Sequence, residues 1–222
     1  MKQPFHYVAR GDSITAGYSA PDKKGYVTIL GHLLKEQFGR VRVSNFGLGG
    51  NTSRRLLSEI LRNPIVQQEI IRADLLTVYI GGNDLKNTYL KYLLRQKNEV
   101  FLDTIESFGS RLEQIYHAIQ QMSKAPLLTL NLYNPFPHSE IASTWIPALN
   151  GAIDMVSIRR HIPVIDIYSR FKQREMMLIH NYRTGTLKDF QLFGGNPIHP
   201  NFQGHQVIAH TLWQHIELDS WY

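Results

Sequence analysis

Four segments of the chain, widely separated in sequence, carry the groups that acyl transfer from an ester requires. Ser13, Gly50 and Asn83 each come shortly after a short apolar run, and His199 stands in a proline-flanked loop. A neutral serine hydroxyl is a poor nucleophile and needs a base within hydrogen-bond reach, and a tetrahedral oxyanion needs donors fixed in advance. Ser13 with His199 fits the first requirement. The backbone N–H groups of Ser13 and Gly50, together with the side-chain amide of Asn83, fit the second.

Each of these residues also has an ordinary structural interpretation. Ser13 or the preceding Asp12 is typical of a helix N-cap, and so is Asn83. Two adjacent glycines, such as Gly50 and its neighbour, most often form a turn. The hypothesis of a site therefore depends on the four segments meeting in one crevice, and so on the elements that position them.

Short apolar runs bounded by turn residues alternate with segments of helical spacing along the chain. The apolar runs, interpreted as buried strands, are 5–9, 41–46, 74–80, 126–133 and 161–168. The helical segments are 26–38, 52–72, 101–122, 139–160 and 203–215. This alternation predicts an α/β fold with a parallel sheet covered on both faces. Ligands of such open sheets bind beyond the carboxyl ends of the strands, where three of the four segments fall.

Composition excludes several classes of function. The 222 residues, 43% of them hydrophobic, suit a single domain spanning 1–222. The net charge is +6, but no run of five or more basic residues occurs, so no nucleic acid partner is predicted. Cysteine is absent, and no His-x-x-x-His pair or phosphate-binding loop occurs, so neither a metal nor another cofactor is predicted. No run of eighteen apolar residues is present, which predicts a soluble protein without a signal peptide or transmembrane segment.

The same four segments resemble, in order, the conserved blocks of the SGNH family, also called GDSL lipases or acylhydrolases. The matching stretches are GDSI at Ser13, LGGNTS at Gly50, GGND at Asn83 and NPIHP at His199. The resemblance implies a flavodoxin-like three-layer α/β/α sandwich with a five-stranded parallel sheet. It also implies a serine esterase that acts on acyl esters of lipid or phospholipid, with an acyl-enzyme on Ser13 and His199 as base.

Two further stretches are similar to lipases and phospholipases B of spore-forming bacteria that are associated with spore germination. They are LNLYNPFP, at 130–137, and VIDIYSRFKQRE, at 164–175. This similarity implies a cytoplasmic or spore-associated protein that makes peripheral contact with lipid. Within the first stretch, Asn134 and Phe136 are candidates for lining an acyl pocket.

The chain departs from the family pattern at two positions. Arg10 stands before GDS where the family usually has an apolar residue, so it should either disturb the strand end or find an acidic partner. Asn196 stands three residues before His199, where the family has the aspartate that holds the histidine tautomer and stabilises the imidazolium. If Asn196 is the only partner of His199, low activity is expected, whereas a main-chain carbonyl that orients the ring would leave a working Ser-His dyad.

Two alternatives to a lipid esterase follow from these observations. The family fold also permits a carbohydrate acetylesterase. The amide of Asn196 is compatible with a catalytically weakened ligand-binding module that retains the crevice.

Overall fold

A five-stranded parallel sheet forms the centre of the computed structural model, which describes residues 3–191 and 195–218. The strands are β1 (Phe5–Gly11), β2 (Val41–Gly47), β3 (Leu75–Tyr79), β4 (Leu127–Leu130) and β5 (Val164–Ile165), in the spatial order β2-β1-β3-β4-β5. Every residue of β3 and β4 is buried, whereas β2 at the edge is partly exposed. Strands buried on both faces are typical of a sheet covered by helices.

The helices pack in two groups. They are α1 (Tyr26–Phe38), α2 (Ser53–Arg62), α3 (Pro64–Ile71), α4 (Gly82–Arg95), α5 (Glu99–Met122), α6 (Glu140–Arg160), α7 (Ile167–Phe171), α8 (Glu175–Leu178) and α9 (Phe202–Leu218). Helices α1, α7 and α8 contact α9, while α2, α3, α4 and α6 contact α5. Helices thus cover both sides of the sheet, which confirms the predicted three-layer sandwich.

The structure divides one predicted helix into two and shortens one predicted strand to two residues. The predicted helix at 52–72 is interrupted at Pro64, which has no N–H to continue α2 and instead occupies the first turn of α3. The side chain of Asn63 caps α3 by accepting from two backbone N–H groups of its first turn. The predicted strand at 161–168 is reduced to β5, because Asp166 accepts from the N–H of Ser169 and starts α7.

Arg10 lies on β1 and finds the acidic partner that the sequence analysis expected. Its side chain is only 1% exposed, and Nη2 donates to Glu59 Oε2 on α2 at 2.6 Å. The guanidinium carbon also lies 5.1 Å from the centre of the Phe46 ring. Burial lowers the pKa of Arg10, and the carboxylate of Glu59 opposes that change. This ion pair joins β1 to α2, the helix that follows the glycine segment.

The carboxyl ends of β1, β2 and β3 lie level with one another. Gly11, the last residue of β1, is in register with Gly47 on β2 and with Tyr79 on β3. A Cβ at Gly11 would lie 2.4 Å from the carbonyl oxygen of Tyr79, so only glycine allows this close approach. The segments that follow the three strands therefore emerge at one edge of the sheet. Because β2 and β3 lie on opposite sides of β1, this edge contains a topological switch point, where ligands of open α/β sheets bind.

Candidate active site

Ser13 lies in a tight turn just beyond β1. The residue is 8% exposed, and its Oγ lies 2.9 Å from Nε2 of His199. Residues 12–20 form turns and a bend rather than an α-helix, so Ser13 does not cap one. The side chain of Asp12 instead stabilises the turn by accepting from the N–H of Ile14 at 3.0 Å. The structure thus brings together the two residues that the sequence predicted as nucleophile and base.

The loop that carries His199 is fixed by contacts on two sides. Its carbonyl oxygen accepts from the N–H of His180 at 2.9 Å, and the hydroxyl of Tyr133 donates to the carbonyl of Ile198 at 2.7 Å. The ring of Tyr18 lies beside the imidazole, with 5.5 Å between ring centres. These contacts hold the backbone of His199 in place independently of any partner at its second ring nitrogen.

A second histidine, His205, supports the first and was not singled out from the sequence. It is 0% exposed and lies at the start of α9. Its Nδ1 accepts from the N–H of Tyr26 at 3.2 Å, which leaves Nε2–H to donate to the carbonyl of Tyr18 at 3.0 Å. His205 therefore anchors the segment whose aromatic ring packs on His199.

The electrostatic environment of His199 favours its neutral form. Burial lowers the pKa of the imidazole to about 4, and the nearby His205, Lys86 and His180 contribute in the same direction. A neutral ring can accept the proton of Ser13, which suits a general base. The environment does not, however, stabilise the imidazolium that forms when the proton is transferred.

Asn196 pairs with the main chain of Gln191. Its Oδ1 accepts from the Gln191 N–H at 2.6 Å, and its Nδ2 donates to the Gln191 carbonyl at 2.8 Å. Within residues 3–191 and 195–218, His199 forms its hydrogen bond to Ser13 through Nε2, and no hydrogen bond reaches Nδ1. The structure thus does not bring the amide of Asn196 to the imidazole, because both of its polar atoms bind the main chain of Gln191.

The predicted oxyanion donors lie on the two segments next to Ser13. Gly50 has φ +73°, in the left-handed region that favours glycine, and nothing would meet a Cβ there within 4 Å. Asn83 is 7% exposed at the start of α4, and its Nδ2 donates to the carbonyl of Asn51 at 2.9 Å. Asn51 in turn donates from Nδ2 to the carbonyl of Gly11 at 3.2 Å. This chain of amides connects the glycine segment to the start of α4 and to the end of β1.

A buried ionic network, which was not predicted from the sequence, connects the start of α4 to the start of α2. The carboxylate of Asp84 accepts from the N–H of Ser53 at 2.9 Å and from its hydroxyl at 2.6 Å. Arg111 on α5 donates from Nε to the Ser53 hydroxyl at 2.7 Å and lies 3.5 Å from Asp84. The sequence signal was Asp84, a carboxylate directly after Asn83 at a helix start, where such residues are typical of helix caps. In the structure Asn83 lines the crevice, whereas the carboxylate of Asp84 joins α4 to α2.

Ser13 and His199 open onto an apolar pocket. Most of the residues that line it are aliphatic or aromatic, and among them are Leu85, Phe101, Phe136, Trp145, Ile146 and Phe190. The rings of Phe101 and Trp145 stack with their centres 4.8 Å apart. Few polar groups line the cavity, so its shape and chemistry fit a hydrocarbon chain.

The structure separates the two residues predicted to bind substrate. Phe136 lines the pocket, whereas Asn134 is not among the lining residues. Asn134 accepts from the N–H of Phe136 at 2.8 Å through Oδ1 and donates to the hydroxyl of Ser143 at 3.3 Å. Its role in the structure is to shape the turn that presents Phe136.

A serine hydroxyl within hydrogen-bond distance of a histidine at the carboxyl edge of a parallel α/β sheet, beside an apolar cavity, is typical of a serine hydrolase. The model of the GDSL-like lipase/acylhydrolase family matches residues 9–207, and the chain belongs to that family. It is accordingly a carboxylic ester hydrolase.

Individual relatives agree with this assignment. The chain is similar to the spore germination lipase LipC of Bacillus licheniformis, with 28% identity over 94% of each chain. Among solved structures, it resembles the lipase Lip_vut3 from a goat rumen metagenome, with a TM-score of 0.79, 26% identity and coverage of 95% of this chain and 96% of that one. It shares the fold of the acetylxylan esterase Axe2 of Geobacillus stearothermophilus, with a TM-score of 0.72, 19% identity and coverage of 97% and 96%.

The described part of the chain contains neither a metal-binding cluster nor a membrane-spanning helix. No group of three or more histidine, aspartate or glutamate side chains there is arranged to hold a metal ion. None of the helices at 3–191 and 195–218 has the length and apolar character needed to cross a bilayer.

Proposed function

We propose that the protein hydrolyses acyl esters through an acyl-enzyme on Ser13, with His199 as general base and residues 1–222 acting as one catalytic domain. The observation that carries the proposal is the 2.9 Å contact between Ser13 Oγ and His199 Nε2 at the mouth of an apolar pocket. Nucleophile and base within hydrogen-bond distance are the signature of nucleophilic catalysis by serine.

The proposed reaction has two halves. Ser13 Oγ attacks the ester carbonyl carbon while His199 Nε2 takes its proton, and the carbonyl oxygen becomes an oxyanion that faces the N–H groups of Ser13 and Gly50 and the amide of Asn83. The carbon–oxygen bond to the alcohol then breaks, and His199 returns the proton to the departing alcohol. Water, activated by the same histidine, releases the carboxylic acid from Ser13.

The substrate favoured by the pocket is an ester with a long acyl chain, as in a lipid or phospholipid. The pocket is lined mostly by aromatic and aliphatic side chains, which suits a hydrocarbon chain better than an acetyl group on a polar sugar. The similarity to the acetylxylan esterase is a similarity of fold, so no specific observation favours a carbohydrate acetylesterase. The name of the relative LipC supports a role in spore germination, which would place the protein in the cell or the spore, in peripheral contact with lipid.

The alternative of a catalytically weakened binding module depends on Asn196 alone. Because Tyr133 and His180 already fix the backbone around His199, the proposal is a Ser-His dyad in which Asn196 does not take part. In this proposal turnover is slow compared with a full triad, but the serine is still activated.

Covalent labelling and turnover test the proposal together. A fluorophosphonate probe should label the wild-type chain at Ser13, and the Ser13→Ala and His199→Ala variants should be neither labelled nor active on 4-nitrophenyl octanoate. Absence of labelling in folded wild-type protein would favour the binding module. Full activity of Ser13→Ala would refute the assignment of the nucleophile.

Acyl-chain preference tests the pocket separately. Ala142 lines the pocket and is 7% exposed, so the Ala142→Phe variant should fill the space that a long chain needs. On 4-nitrophenyl esters, wild type should prefer octanoate to acetate, and the variant should lose octanoate activity while keeping acetate activity. Equal losses on both esters would mean that the cavity does not hold the acyl chain.

A further inference from the structure

Among the described residues that line the pocket, Lys86 is the one lysine or arginine. Lys86 lies in the first turns of α4 and lines the cavity together with Ser13 and His199. It follows Asn83 by three residues, so the two side chains share one face of the helix. Within residues 3–191 and 195–218 its ammonium group forms no ion pair and no hydrogen bond. A cation thus lies on the same helix face as a proposed oxyanion donor.

The other charge in the cavity does not neutralise this cation. Asp12 is the one carboxylic acid among the described lining residues, and it is 4% exposed. Burial raises the pKa of Asp12 to about 7, so near neutral pH its carboxyl group balances Lys86 only in part. Lys86 is partly buried, so its ammonium group is accessible to an anion that enters the cavity, and their attraction is stronger there than in bulk water.

We propose that Lys86 binds an anionic group on the alcohol side of the ester, so that the enzyme prefers esters carrying a negative charge near the scissile bond. This inference rests on the proposed function, because it assigns the acyl chain to the apolar part of the same pocket. The chemical class is an ester whose alcohol carries a carboxylate, sulfate or phosphodiester.

The bound anion has a second effect, which follows from the position of His199. Lys86 is among the groups that lower the pKa of the imidazole, and no carboxylate hydrogen-bonds to Nδ1 within residues 3–191 and 195–218. An anion paired with Lys86 offsets part of the positive charge that opposes protonation of His199. The substrate then supplies negative charge that helps to stabilise the imidazolium, a task that an aspartate performs in a full triad.

A pair of chromogenic substrates isolates the effect of charge. The pair consists of 4-nitro-3-octanoyloxybenzoate, which is anionic, and the corresponding benzamide, which is neutral. Both are used as monomers without vesicles, so that binding to a lipid surface does not contribute. In wild type the ratio of kcat/KM, anionic over neutral, should exceed the ratio in Lys86→Gln by about tenfold, as expected for a hydrogen bond to a charged group. The preference should shrink as salt is added.

The controls separate this inference from the proposed function. Lys91 lies on the same helix but does not line the pocket, so Lys91→Gln should keep the wild-type ratio. Lys86→Glu should lower the ratio below that of Lys86→Gln. In wild type, the acidic limb of kcat should lie at higher pH for the anionic substrate than for the neutral one, and this difference should vanish in Lys86→Gln.

Two results would overturn the inference. If the ratio of kcat/KM, anionic over neutral, in Lys86→Gln stays within twofold of wild type, Lys86 does not bind the anionic group of the substrate. An equal loss of the ratio in Lys91→Gln would show that long-range attraction, rather than a site, explains the preference. Activity that persists in Ser13→Ala would instead refute the proposed function, and the two failures are therefore distinguishable.

Discussion

Replacing Asn196 by aspartate would test whether a missing negative charge limits turnover. In the structure both polar atoms of the amide bind the main chain of Gln191, and no hydrogen bond reaches Nδ1 of His199 from residues 3–191 and 195–218. An aspartate cannot donate to the Gln191 carbonyl, so its carboxylate is repelled from that position. We expect the new side chain to turn towards the imidazole, three residues along the loop.

The size of the effect can be worked from the environment of His199. Returning the pKa of the ring from about 4 to its ordinary value of 6.5 would stabilise the imidazolium by about 3 kcal/mol, at roughly 1.4 kcal/mol per pKa unit. Giving up the pair with Gln191 costs about 1 kcal/mol. The net gain of about 2 kcal/mol corresponds to an increase in kcat of roughly 30-fold. This is smaller than the factor of about 10⁴ measured for the reverse change in a serine protease.

The assay combines kinetics with a direct titration. We expect kcat on 4-nitrophenyl octanoate to rise in Asn196→Asp with little change in KM, because the imidazolium exists only once proton transfer has begun. Nuclear magnetic resonance of the His199 ring should show its pKa raised. The matched control is Asn196→Ala, which loses the pair with Gln191 without adding charge and should gain no turnover.

Two results would refute this reasoning. If the pKa of His199 rises in Asn196→Asp while kcat does not, the missing charge does not limit turnover, and the Ser-His dyad is sufficient. If Asn196→Ala gains as much as Asn196→Asp, release of the loop rather than charge is responsible.

Three further perturbations have expected outcomes. Asn83→Ala should lower kcat by about 10² to 10³ as one oxyanion donor is lost, and an unchanged kcat with normal circular dichroism would exclude that role. Glu59→Ala should lower the free energy of unfolding in urea by about 2 kcal/mol at unchanged kcat, because Arg10 would remain buried without its carboxylate; an unchanged urea midpoint would contradict this. Because burial raises the pKa of Asp12 from 3.8 to about 7, the folded state binds the extra proton and loses stability as pH rises through that range. Asp12→Asn should therefore melt at a higher temperature than wild type at pH 8 and at the same temperature near pH 4, whereas a gap that persists at pH 4 would point to a cause other than titration.

The arrangement of the sheet and the meeting of the segments that carry Ser13, Gly50 and Asn83 could be predicted from the sequence, whereas His199 follows no strand and was predicted from the family resemblance and from the need of Ser13 for a base. Buried strands leave continuous apolar runs, and the carboxyl ends of parallel strands lie at one edge, so residues directly after the runs had to be neighbours. It could also be predicted that Arg10 has an acidic partner, since a buried guanidinium requires an anion. Its partner Glu59 could not be named, because it comes from a helix whose rotation depends on tertiary packing.

The details that the sequence could not supply depend on competition between local contacts. Helix α4 was not among the helical segments derived from spacing, because its exposed face mixes polar and aromatic residues. The amide of Asn196 was expected near His199 on the basis of separation along the chain. Its actual partner is the backbone of Gln191, a contact that depends on how the loop closes rather than on residue type. Similarly, Asp84 looked like a helix cap but binds Ser53 across the site.

The two residues of the proposed dyad are 186 positions apart, and this separation has a consequence for biosynthesis. A ribosome-bound chain displays Ser13 long before His199 has been translated, so the serine has no base while most of the protein is being made. Chains that terminate early carry the nucleophile in an unreactive form. In the proposed mechanism, hydrolytic activity thus arises only after residue 199 has been translated and has folded against the segment that follows β1.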